Sequence, residues 1–464
     1  MAPKFGTSGL RGLADNLTSD LVARYTRAFL KVCGSGTGVY VARDLRDSSR
    51  RISEAVILAA RGAGVDVTDC GEVPTPALAL AAMGAGAASI MVTGSHIPAD
   101  RNGLKFYRPD GEISKADEAA ILAALECPAA AVAKGAVAER HDVGAQWVAR
   151  NLRAFGAEAL AGLRVGIWSH SAVSRDLLIE AIASLGARVT EIGRSDIFIP
   201  VDTEAVPQSV LDMVSVAAQR EGLDAVVSTD GDGDRPLLMD ASGRQVAGDV
   251  LGQITARSVG AANVVTPVNS NSGVDSCGAF SRVLRTRIGS PYVIAGMAEL
   301  GGKVVGYEAN GGFLLGFDAQ GPVGPLAALA TRDSLLPIVA VLAEARRAGG
   351  VAALVAQEPG RFTAASRLQD VPPEVARAFL AGLEGRLDAL LATFDRACVA
   401  LDRTDGLRMT CDDGSILHLR SSGNAPEFRI YVEAGSDTEA ASLLQRAQAV
   451  LSHNMHGLQI TETR

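Results

Sequence analysis

The chain opens with a repeating pattern of short apolar runs and helix-like stretches. Residues 39–41 form the first apolar run, a polar turn follows, and a helix is predicted over 52–61. Residues 64–71 complete the unit as a second strand. This first unit therefore predicts a strand, a helix and a strand.

The same order recurs further along the chain. Residues 163–168 predict a strand, 174–184 a helix, and 186–193 a closing strand of the same length as the one in the first unit. A third, fainter copy of the unit starts at 264–266 and ends near 285–289. Strands that alternate with helices of this length are typical of βαβ units and mostly parallel sheets.

The C-terminal region has a different pattern, in which strands lie between helical stretches and a turn at 412–414 joins two of them as a hairpin. Its predicted elements are helices at 374–395 and 440–451 and strands at 407–410, 416–419 and 428–432.

These patterns predict the fold class. We expect an α/β protein with three related α/β domains, whose sheets are mixed and mostly parallel, followed by a C-terminal α+β domain. The predicted domain boundaries are 1–141, 142–246, 247–358 and 359–464.

Composition narrows the class of protein. The 464 residues are 48% hydrophobic and 21% charged, as in packed globular proteins, and the net charge of -8 disfavours nucleic acid and anionic membranes as partners.

The six cysteines form no C-x-x-C pair, which indicates reduced thiols. The chain starts without an apolar signal segment, and the uncharged stretch 73–92 contains two prolines. We therefore expect a cytoplasmic protein without a membrane segment.

The first polar loop that contains candidate catalytic residues spans 92–106. Ser95 and His96 follow a strand predicted at 88–92, and ligands of α/β sheets bind just past the carboxyl ends of strands. Ser95 could carry a phosphoryl group, with His96 beside it and Lys105 returning as an acid, a base or a counter-charge. Taken alone, this loop is more typical of a turn whose polar side chains are satisfied.

The second loop places Asp230, Asp232 and Asp234 directly after an apolar strand. Carboxylates two residues apart can fold around one hard cation, and they would repel each other strongly without it. An EF-hand is excluded, because Arg235 and Ala241 stand where that loop needs glycine and glutamate. Three oxygen ligands with room for a phosphate oxygen suit Mg²⁺, and a solvated turn is the weaker alternative.

Two further loops carry weaker signals. Glu308 and Asn310 precede a Gly-Gly pair and offer donors and acceptors for sugar hydroxyls, although a glycine-rich hairpin explains them equally well. The segment 419–433 has the composition of a phosphate cradle, and a surface turn with two solvated arginines is the alternative. Its candidate phosphate ligands are Arg420, Ser421, Ser422, Gly423, Asn424 and Arg429.

In this order the four loops resemble those of the α-D-phosphohexomutase family, the phosphoglucomutases and phosphomannomutases. Residues 5–12 are similar to the opening loop of that family, 93–98 to its phosphoserine loop, usually T-A-S-H-N-P, and 230–235 to its metal loop. The resemblance extends from Lys4 to the last helix. It implies four domains around one central cleft.

The resemblance also implies roles for individual residues. Ser95 would be the phosphorylated residue, and the three aspartates would hold one Mg²⁺ together with a phosphoserine oxygen. Arg11 and Lys105 would flank the transferring proton. Arg235 is expected beside the metal loop, in contact with the substrate or the phosphoserine, and Arg287 is a weaker candidate for a substrate contact.

Two loops depart from the pattern of the family. The sugar loop usually reads G-E-x-S-G-H, whereas here Tyr307 precedes Glu308, Asn310 replaces the serine and Gly312 replaces the histidine. The phosphate loop usually reads R-x-S-G-T-E-P, and residues 424–425 differ from it here. We therefore expect phosphate anchoring to persist and the choice of sugar to be altered.

A member of this family would be an intramolecular phosphotransferase. It would interconvert hexose 6-phosphate and hexose 1-phosphate through a phosphoserine, with a hexose 1,6-bisphosphate as intermediate and activator. We expect mannose phosphates as substrates, with glucose and glucosamine phosphates as alternatives, and either a monomer or a dimer.

Two other classes stay open. In a haloacid-dehalogenase-like phosphatase Asp230 would be the nucleophile, but Asp234 stands where those enzymes usually have threonine or serine. A non-catalytic sugar-phosphate sensor would need neither Ser95 nor the three aspartates.

Overall fold

The structure, a computed structural model, describes residues 3–6, 9–126, 133–422 and 426–462, without the side chains of 454 and 456–462. Four larger sheets follow one another along this part of the chain, and a pair of short strands accompanies the third. The predicted fold of three α/β domains and one α+β domain is confirmed.

The first sheet has eight strands. Its elements are β1 (Lys4–Phe5), β2 (Leu10–Leu13), a 3₁₀ turn (Ala14–Asn16), α1 (Ser19–Cys33), β3 (Val39–Arg43), α2 (Ser49–Gly62), β4 (Val67–Glu72), α3 (Thr75–Gly84), β5 (Ala88–Val92), β6 (Arg101–Arg108), β7 (Gly111–Glu112), α4 (Lys115–Ala123) and β8 (Val137–Glu139). The strand order is β1-β2-β6-β5-β3-β4-β8, with β7 beside β6, and β5, β3, β4 and β8 run parallel. Every residue of β5 is buried, so this central strand fixes the loop that follows it.

The second sheet has four strands in the order β10-β9-β11-β12. Its elements are α5 (Val143–Phe155), β9 (Arg164–His170), α6 (Arg175–Ser184), β10 (Arg188–Arg194), α7 (Gln208–Glu221), β11 (Ala225–Thr229) and β12 (Pro236–Asp240). Strands β10, β9 and β11 are parallel, and β12 returns antiparallel to β11. The β11–β12 hairpin therefore carries the three aspartates at its tip.

The third sheet has five strands in the order β14-β13-β15-β16-β19. Its elements are α8 (Gly248–Ser258), β13 (Asn263–Pro267), α9 (Gly273–Ser276), β14 (Arg282–Thr286), α10 (Ser290–Leu300), β15 (Val304–Tyr307), β16 (Phe313–Leu315), the short pair β17 (Ala319–Gln320) and β18 (Pro325–Leu326), β19 (Leu329–Asp333), α11 (Leu335–Ala348) and α12 (Val351–Val355). The third repeat departs from the first two, because its helix α9 is a single turn of four residues. Glycines bracket this turn, and Gly278 takes a φ of 65° that ends it.

The fourth sheet is wholly antiparallel, in the order β20-β24-β23-β22-β21. Its elements are β20 (Phe362–Gln369), α13 (Pro373–Glu384), α14 (Leu387–Ala392), β21 (Cys398–Asp402), β22 (Leu407–Cys411), β23 (Ile416–Ser421), β24 (Glu427–Ala434) and α15 (Asp437–Glu462). The predicted turn at 412–414 joins β22 to β23, and Gly414 adopts the positive φ it needs. The edge strands β20 and β21 were not predicted.

The hydrophobic core is divided between the first three domains and the fourth. One buried cluster runs from Leu78 of α3 through Trp147 of α5 to Val227 of β11 and Leu336 of α11. The fourth domain packs a cluster of its own, drawn from the α13–α15 helices and the inner face of its sheet. It therefore has a separately packed core.

Candidate active site

The serine loop begins where β5 ends. The backbone at Ser95 has a positive φ of 53°, which is uncommon for a residue with a side chain. The Ser95 amide donates to Thr93 Oγ1 at 2.7 Å, and that hydroxyl donates to Asp44 Oδ2 at 2.7 Å. Buried side chains thus hold the serine in a strained turn, as functional loops often are.

Arg46, which sequence reasoning missed, donates hydrogen bonds to the same loop. Arg46 is 3% exposed, and its guanidinium lies 4.1 Å from the ring centre of Phe198. A Cβ on Gly94 would lie 2.7 Å from Arg46 Cζ, so glycine is required for this close approach. The guanidinium donates to the carbonyls of Ser95, Ile97, Pro98 and Arg101 and to the carboxylate of Asp44, over 2.7–3.2 Å.

The three aspartates lie opposite this serine. Asp230, Asp232 and Asp234 are fully buried, and one oxygen of each lies within 4.8 Å of the others. Ser95 Oγ donates to Asp230 Oδ2 at 2.5 Å, although the two residues are 135 positions apart. The structure thus brings together the loop of Ser95 and the loop of the three aspartates.

The backbone of the aspartate loop is anchored from three directions. Val173 N donates to the carbonyl of Gly231, Thr75 N to that of Asp232, and Ser334 Oγ to that of Gly233. The donors come from three separate parts of the chain, so the carboxylates are oriented before any ligand binds.

Lys105 lies between two of the aspartates. Its ammonium donates to Asp232 Oδ2 at 2.6 Å and to Asp234 Oδ2 at 2.5 Å. Thr75 Oγ1 also donates to Asp232 Oδ2, at 2.5 Å. Among the described residues, Asp232 Oδ1 and Asp234 Oδ1 are buried without a hydrogen-bond donor. A hard divalent cation would satisfy orphaned oxygens on two neighbouring carboxylates.

Burial and neighbouring charges shift the pKa values of Asp230 and Asp232 in opposite directions. Burial raises the pKa of Asp230 well above its usual range, and the carboxylates of Asp232 and Asp234 raise it further. Burial also acts to raise the pKa of Asp232, but the ammonium of Lys105 and its hydrogen bond outweigh burial and lower that pKa. The Lys105 contact therefore keeps Asp232 ionised.

His96 lies next to the serine. Its Nδ1 is 3.4 Å from Ser95 Oγ. Burial lowers the pKa of His96 well below its usual value, and the cationic groups of Arg235, Arg11 and Lys105 lower it further. The imidazole is therefore neutral at pH 7 and can exchange a hydrogen bond with the serine oxygen.

Two arginines add positive charge to the same place. Burial lowers the pKa of Arg11 to about 10, with further lowering by Arg235 and Arg332. Arg235 is 8% exposed, and its guanidinium lies 4.0 Å from carboxylate oxygens of Asp234 and Asp202. Neighbouring arginines repel each other, and a bound anion would relieve this repulsion.

The sugar loop lies between β15 and β16. Glu308 and Asn310 are buried, and Asn310 Nδ2 donates to Glu308 Oε2 at 3.0 Å. Asn310 Oδ1 accepts from Gly312 N at 2.9 Å, and the Asn310 carbonyl accepts from Thr203 Oγ1 at 3.0 Å. Asn310 therefore fixes both the carboxylate and the backbone of this loop.

Arg332 is the second residue that sequence reasoning missed. Its guanidinium contacts Asp234 Oδ2 at 3.0 Å and Glu308 Oε2 at 3.5 Å, so it bridges the aspartate loop and the sugar loop. It lies near the end of β19 and outside the sequence of every loop that the sequence analysis singled out. No local pattern could have indicated it.

The phosphate loop joins β23 to β24. Arg420 Nε lies 3.3 Å from Asp405 Oδ2, and Arg429 Nη2 lies 2.7 Å from Glu427 Oε2. Ser421 ends β23, and the amide of Ser422 donates to the Glu427 carbonyl at 2.9 Å. The remaining predicted ligands, Gly423 and Asn424, lie outside the described residues.

Arg287 is exposed and lies at the junction of the third and fourth domains. Its guanidinium is 5.8 Å from the ring centre of Tyr292. The next amide, that of Ile288, donates at 3.0 Å to the same Asp405 oxygen that faces Arg420. Arg287 therefore precedes a residue that shares Asp405 with Arg420 of the phosphate loop.

In the described part of the chain, no helix is both long and apolar enough to cross a bilayer.

Models of known families match the first three domains. Those of the phosphoglucomutase/phosphomannomutase α/β/α domains I, II and III match residues 2–130, 146–243 and 246–362.

Individual proteins match over nearly the whole chain. A phosphomannomutase of Sinorhizobium fredii is 43% identical over 98% of this chain and 100% of its own length. A phosphomannomutase of Salmonella muenchen is 41% identical, over 95% of this chain and 94% of its own. A phosphoglucomutase/phosphomannomutase family protein from Burkholderia thailandensis shares the fold, with a TM-score of 0.79, 22% identity and coverage of 96% and 97% of the two chains.

Proposed function

The chain belongs to the phosphoglucomutase/phosphomannomutase family, and we propose that this phosphohexomutase interconverts mannose 6-phosphate and mannose 1-phosphate. The observation that carries the proposal is the 2.5 Å contact of Ser95 Oγ with Asp230, inside a buried group of three aspartates. Mannose is favoured over glucose and glucosamine because the relatives that are 43% and 41% identical are phosphomannomutases.

Asp230, Asp232 and Asp234 fit a bound Mg²⁺. Asp232 and Asp234 each have an orphaned oxygen, and Ser95 Oγ contacts Asp230, the third carboxylate. Mg²⁺ prefers a few carboxylates together with phosphate oxygens. When bound, the ion would neutralise charge on the phosphoryl group during transfer.

Ser95 is the residue that we assign as the phosphoryl carrier. A phosphoserine has about -1.5 to -2 charges at neutral pH. Around Ser95 the cations Arg11, Lys105, Arg235 and Arg332 face the three aspartates and Glu308. A divalent cation would leave this group with a positive excess, which a phosphorylated Ser95 would balance.

In the first half-reaction the sugar hydroxyl attacks the phosphorus on Ser95. The bond from phosphorus to Ser95 Oγ breaks as the bond to the sugar oxygen forms, which gives a hexose 1,6-bisphosphate. The proton of the sugar hydroxyl leaves, and Ser95 Oγ gains one. We propose that Lys105 and Arg11 flank this proton as it passes from the sugar hydroxyl to Ser95 Oγ, and that His96 is a neutral hydrogen-bond partner for Ser95 Oγ.

In the second half-reaction the opposite phosphate of the bisphosphate returns to Ser95. The sugar must turn around in the cleft between the two transfers. Arg420, with Ser421, Ser422 and Arg429, would grip the phosphate that is not reacting, and Arg287, next in the chain to Ile288, would assist. Glu308 and Asn310 would bind the sugar hydroxyls in both orientations. Hexose 1,6-bisphosphate that is added in catalytic amounts would prime Ser95.

Cellular context follows from the same chemistry. The described cysteines are free thiols, which fits a reducing compartment, and the phosphorylated sugars would be small-molecule partners in the cytoplasm.

The test is an isomerisation assay with mannose, glucose and glucosamine 1-phosphates. Each is incubated with Mg²⁺ and a trace of hexose 1,6-bisphosphate, and conversion is followed by ³¹P NMR. We expect the highest kcat/KM for mannose phosphate, and no turnover after chelation of the metal or in Ser95→Ala. Absence of conversion of all three sugars by the wild type would refute the proposed function, and a preference for glucose or glucosamine would refute its substrate.

A further inference from the structure

Gly312 occupies the position where the family's sugar loop usually has a histidine. The φ of Gly312 is not in the left-handed region, so its backbone would accept a side chain. A Cβ there, however, would lie 2.7 Å from Arg332 Cδ and 2.8 Å from Arg332 Cγ. The space that a side chain at position 312 would enter is therefore filled by Arg332.

The guanidinium of Arg332 contacts two loops from different domains. It is 3.0 Å from Asp234 Oδ2 in the aspartate loop and 3.5 Å from Glu308 Oε2 in the sugar loop. The residue is 3% exposed. A guanidinium is planar and always charged, so it can hold two carboxylates in a fixed relative orientation in a way that a histidine cannot.

The residues on either side of Arg332 hold it in place. Thr331 Oγ1 donates to Glu112 Oε1 of the first domain at 2.7 Å. Asp333 accepts from Trp147 Nε1 and Arg150 Nη1, both at 3.0 Å. Ser334 Oγ donates at 2.6 Å to the carbonyl of Gly233, next to Asp234. The segment 331–334 thus contacts the first and second domains, and the Ser334 bond to Gly233 fixes it against the aspartate loop.

We propose that Arg332 is a positioning residue which couples the sugar loop to the metal loop, and that Gly312 exists to make room for it. Through Glu308 it orients the carboxylate that binds the sugar, and through Asp234 it orients a metal ligand. The proposal rests on the function assigned above to Glu308 and Asp234. It also gives a physical reason for the altered sugar loop, because an arginine from another strand occupies the place of the family's histidine.

The first test separates sugar binding from metal binding. We expect Arg332→Ala to raise KM for the hexose phosphate by about tenfold, because Glu308 loses a charged partner. We expect the affinity of this variant for Mn²⁺, measured by EPR without any sugar, to fall about tenfold. Losses of this size occur when a residue that orients a metal ligand is removed. Arg332→Lys keeps the charge without the fork, and it should recover part of the Mn²⁺ affinity and little of the KM.

Arg150→Ala is the matched control. Arg150 is also buried and bonds Asp333, the neighbour of Arg332, but Asp333 keeps its bond from Trp147 when Arg150 is removed. None of the hydrogen bonds that Arg150 makes to described residues reaches Glu308 or Asp234. It should lower Tm and leave the KM and the Mn²⁺ affinity close to wild type. If Arg150→Ala changes both quantities as much as Arg332→Ala does, or if Arg332→Ala changes neither, the proposal is wrong.

The second test needs no turnover. Gly312→Ala should lower Tm in the wild-type background, since its Cβ meets Arg332, and should lower it much less in the Arg332→Ala background. Equal losses in the two backgrounds would refute the role of Gly312. A failed mutase assay would overturn the proposed function, whereas Mn²⁺ binding and this pair of variants would still decide the coupling between the loops.

Discussion

Ser95 of the first domain and Asp230 of the second share a hydrogen bond of 2.5 Å between Oγ and Oδ2. The contact joins the two candidate carriers of a phosphoryl group, since a mutase would use the serine and a haloacid-dehalogenase-like phosphatase the aspartate. The chemical stability of the phosphoenzyme distinguishes them, because phosphoserine resists hydroxylamine and an acyl phosphate is cleaved by it.

We predict that hexose 1,6-bisphosphate labels the protein with one acid-stable, hydroxylamine-resistant phosphate. Peptide mapping by mass spectrometry should place that phosphate on Ser95, and Ser95→Ala should lose both the label and about a thousandfold or more of activity. Phosphate on Asp230, or labelling of Ser95→Ala to the same extent, would contradict the mutase mechanism.

Asp232→Asn is expected to affect activity far more than folding. The change removes a carboxylate that Lys105 and Thr75 hold ionised, together with one of the two orphaned oxygens. Activity at saturating Mg²⁺ should fall about a hundredfold, while Tm without metal should fall only modestly, because Lys105 loses Asp232 but keeps Asp234 as a partner. Asp212→Asn, at an exposed position of α7, is the control for loss of a charge. Wild-type turnover by Asp232→Asn would mean that the aspartates are only a turn.

Gly94→Ala restores the alanine that the family usually has in this loop, yet it should be harmful here. The new Cβ would lie 2.7 Å from Arg46 Cζ and push away the guanidinium that holds four carbonyls of the loop. We expect a loss of about 1–3 kcal/mol in stability and a lower kcat, because Ser95 is no longer fixed. Both effects are measured by calorimetry and steady-state kinetics.

Gly84→Ala is the matched control for Gly94→Ala. Gly84 ends α3, and no atom of the described residues would lie within 4 Å of a Cβ added there. The substitution should therefore be neutral or slightly stabilising, by about 0.5–1 kcal/mol at most. Equal behaviour of the two variants would show that Arg46 does not constrain position 94.

How far the sequence predicts this site depends on where each side chain is anchored. Ser95 and the aspartates lie in loops that follow buried strands, so pattern and residue type together make them candidates. Arg46 and Arg332 act through long side chains that reach loops distant in sequence, and nothing in their own neighbours indicates a target. Lys105 is intermediate: the sequence predicts a counter-charge, and only the fold places it between Asp232 and Asp234.

The same reasoning applies to the fold. The repeated units and the C-terminal hairpin could be predicted, because apolar periodicity and turn residues agree there. The edge strands β20 and β21 could not, because β20 gains its order from pairing with β24, far away in the chain, and edge strands have a weaker hydrophobic signal. The one-turn helix α9 replaced a predicted helix for a local reason, the glycines around it.

Asp249 should make stability depend on pH. Burial raises the pKa of this carboxyl to about 6, above its ordinary value of 3.8, although the amide of Asn271 donates to it. The folded state therefore binds more protons than the unfolded state between these values, and the stability that Asp249 contributes is present below about pH 4 and lost as pH rises through about 6. The shift corresponds to about 3 kcal/mol.

Asp249→Asn removes this titration. Its Tm relative to wild type should therefore rise between pH 5 and pH 7.5, as measured by calorimetry, while that of Asp212→Asn should stay constant. A Tm difference that is independent of pH over this range would show that Asp249 is ionised in the folded protein at pH 5.

Arg420→Ala and Asn310→Ser together test the division between phosphate grip and sugar choice. Arg420 would hold the non-reacting phosphate in both orientations, and loss of such a charged bond costs about 1.5–3 kcal/mol. Because phosphate is common to all substrates, binding of mannose and glucose phosphates should weaken by similar factors. Asn310→Ser removes the amide that donates to Glu308 at 3.0 Å, so the carboxylate should turn and the ratio of kcat/KM for the two sugars should change.

Arg396→Ala is the control for Arg420→Ala. Arg396 bonds Asp413 and Ser415 at the opposite end of β23, so its loss should leave KM for both sugars unchanged. Steady-state kinetics of the three variants on both sugar phosphates decides the assignment. A shift in sugar preference in Arg420→Ala with none in Asn310→Ser would reverse the roles of the two loops, and a rise in KM in Arg396→Ala equal to that in Arg420→Ala would mean that the fourth domain is merely destabilised.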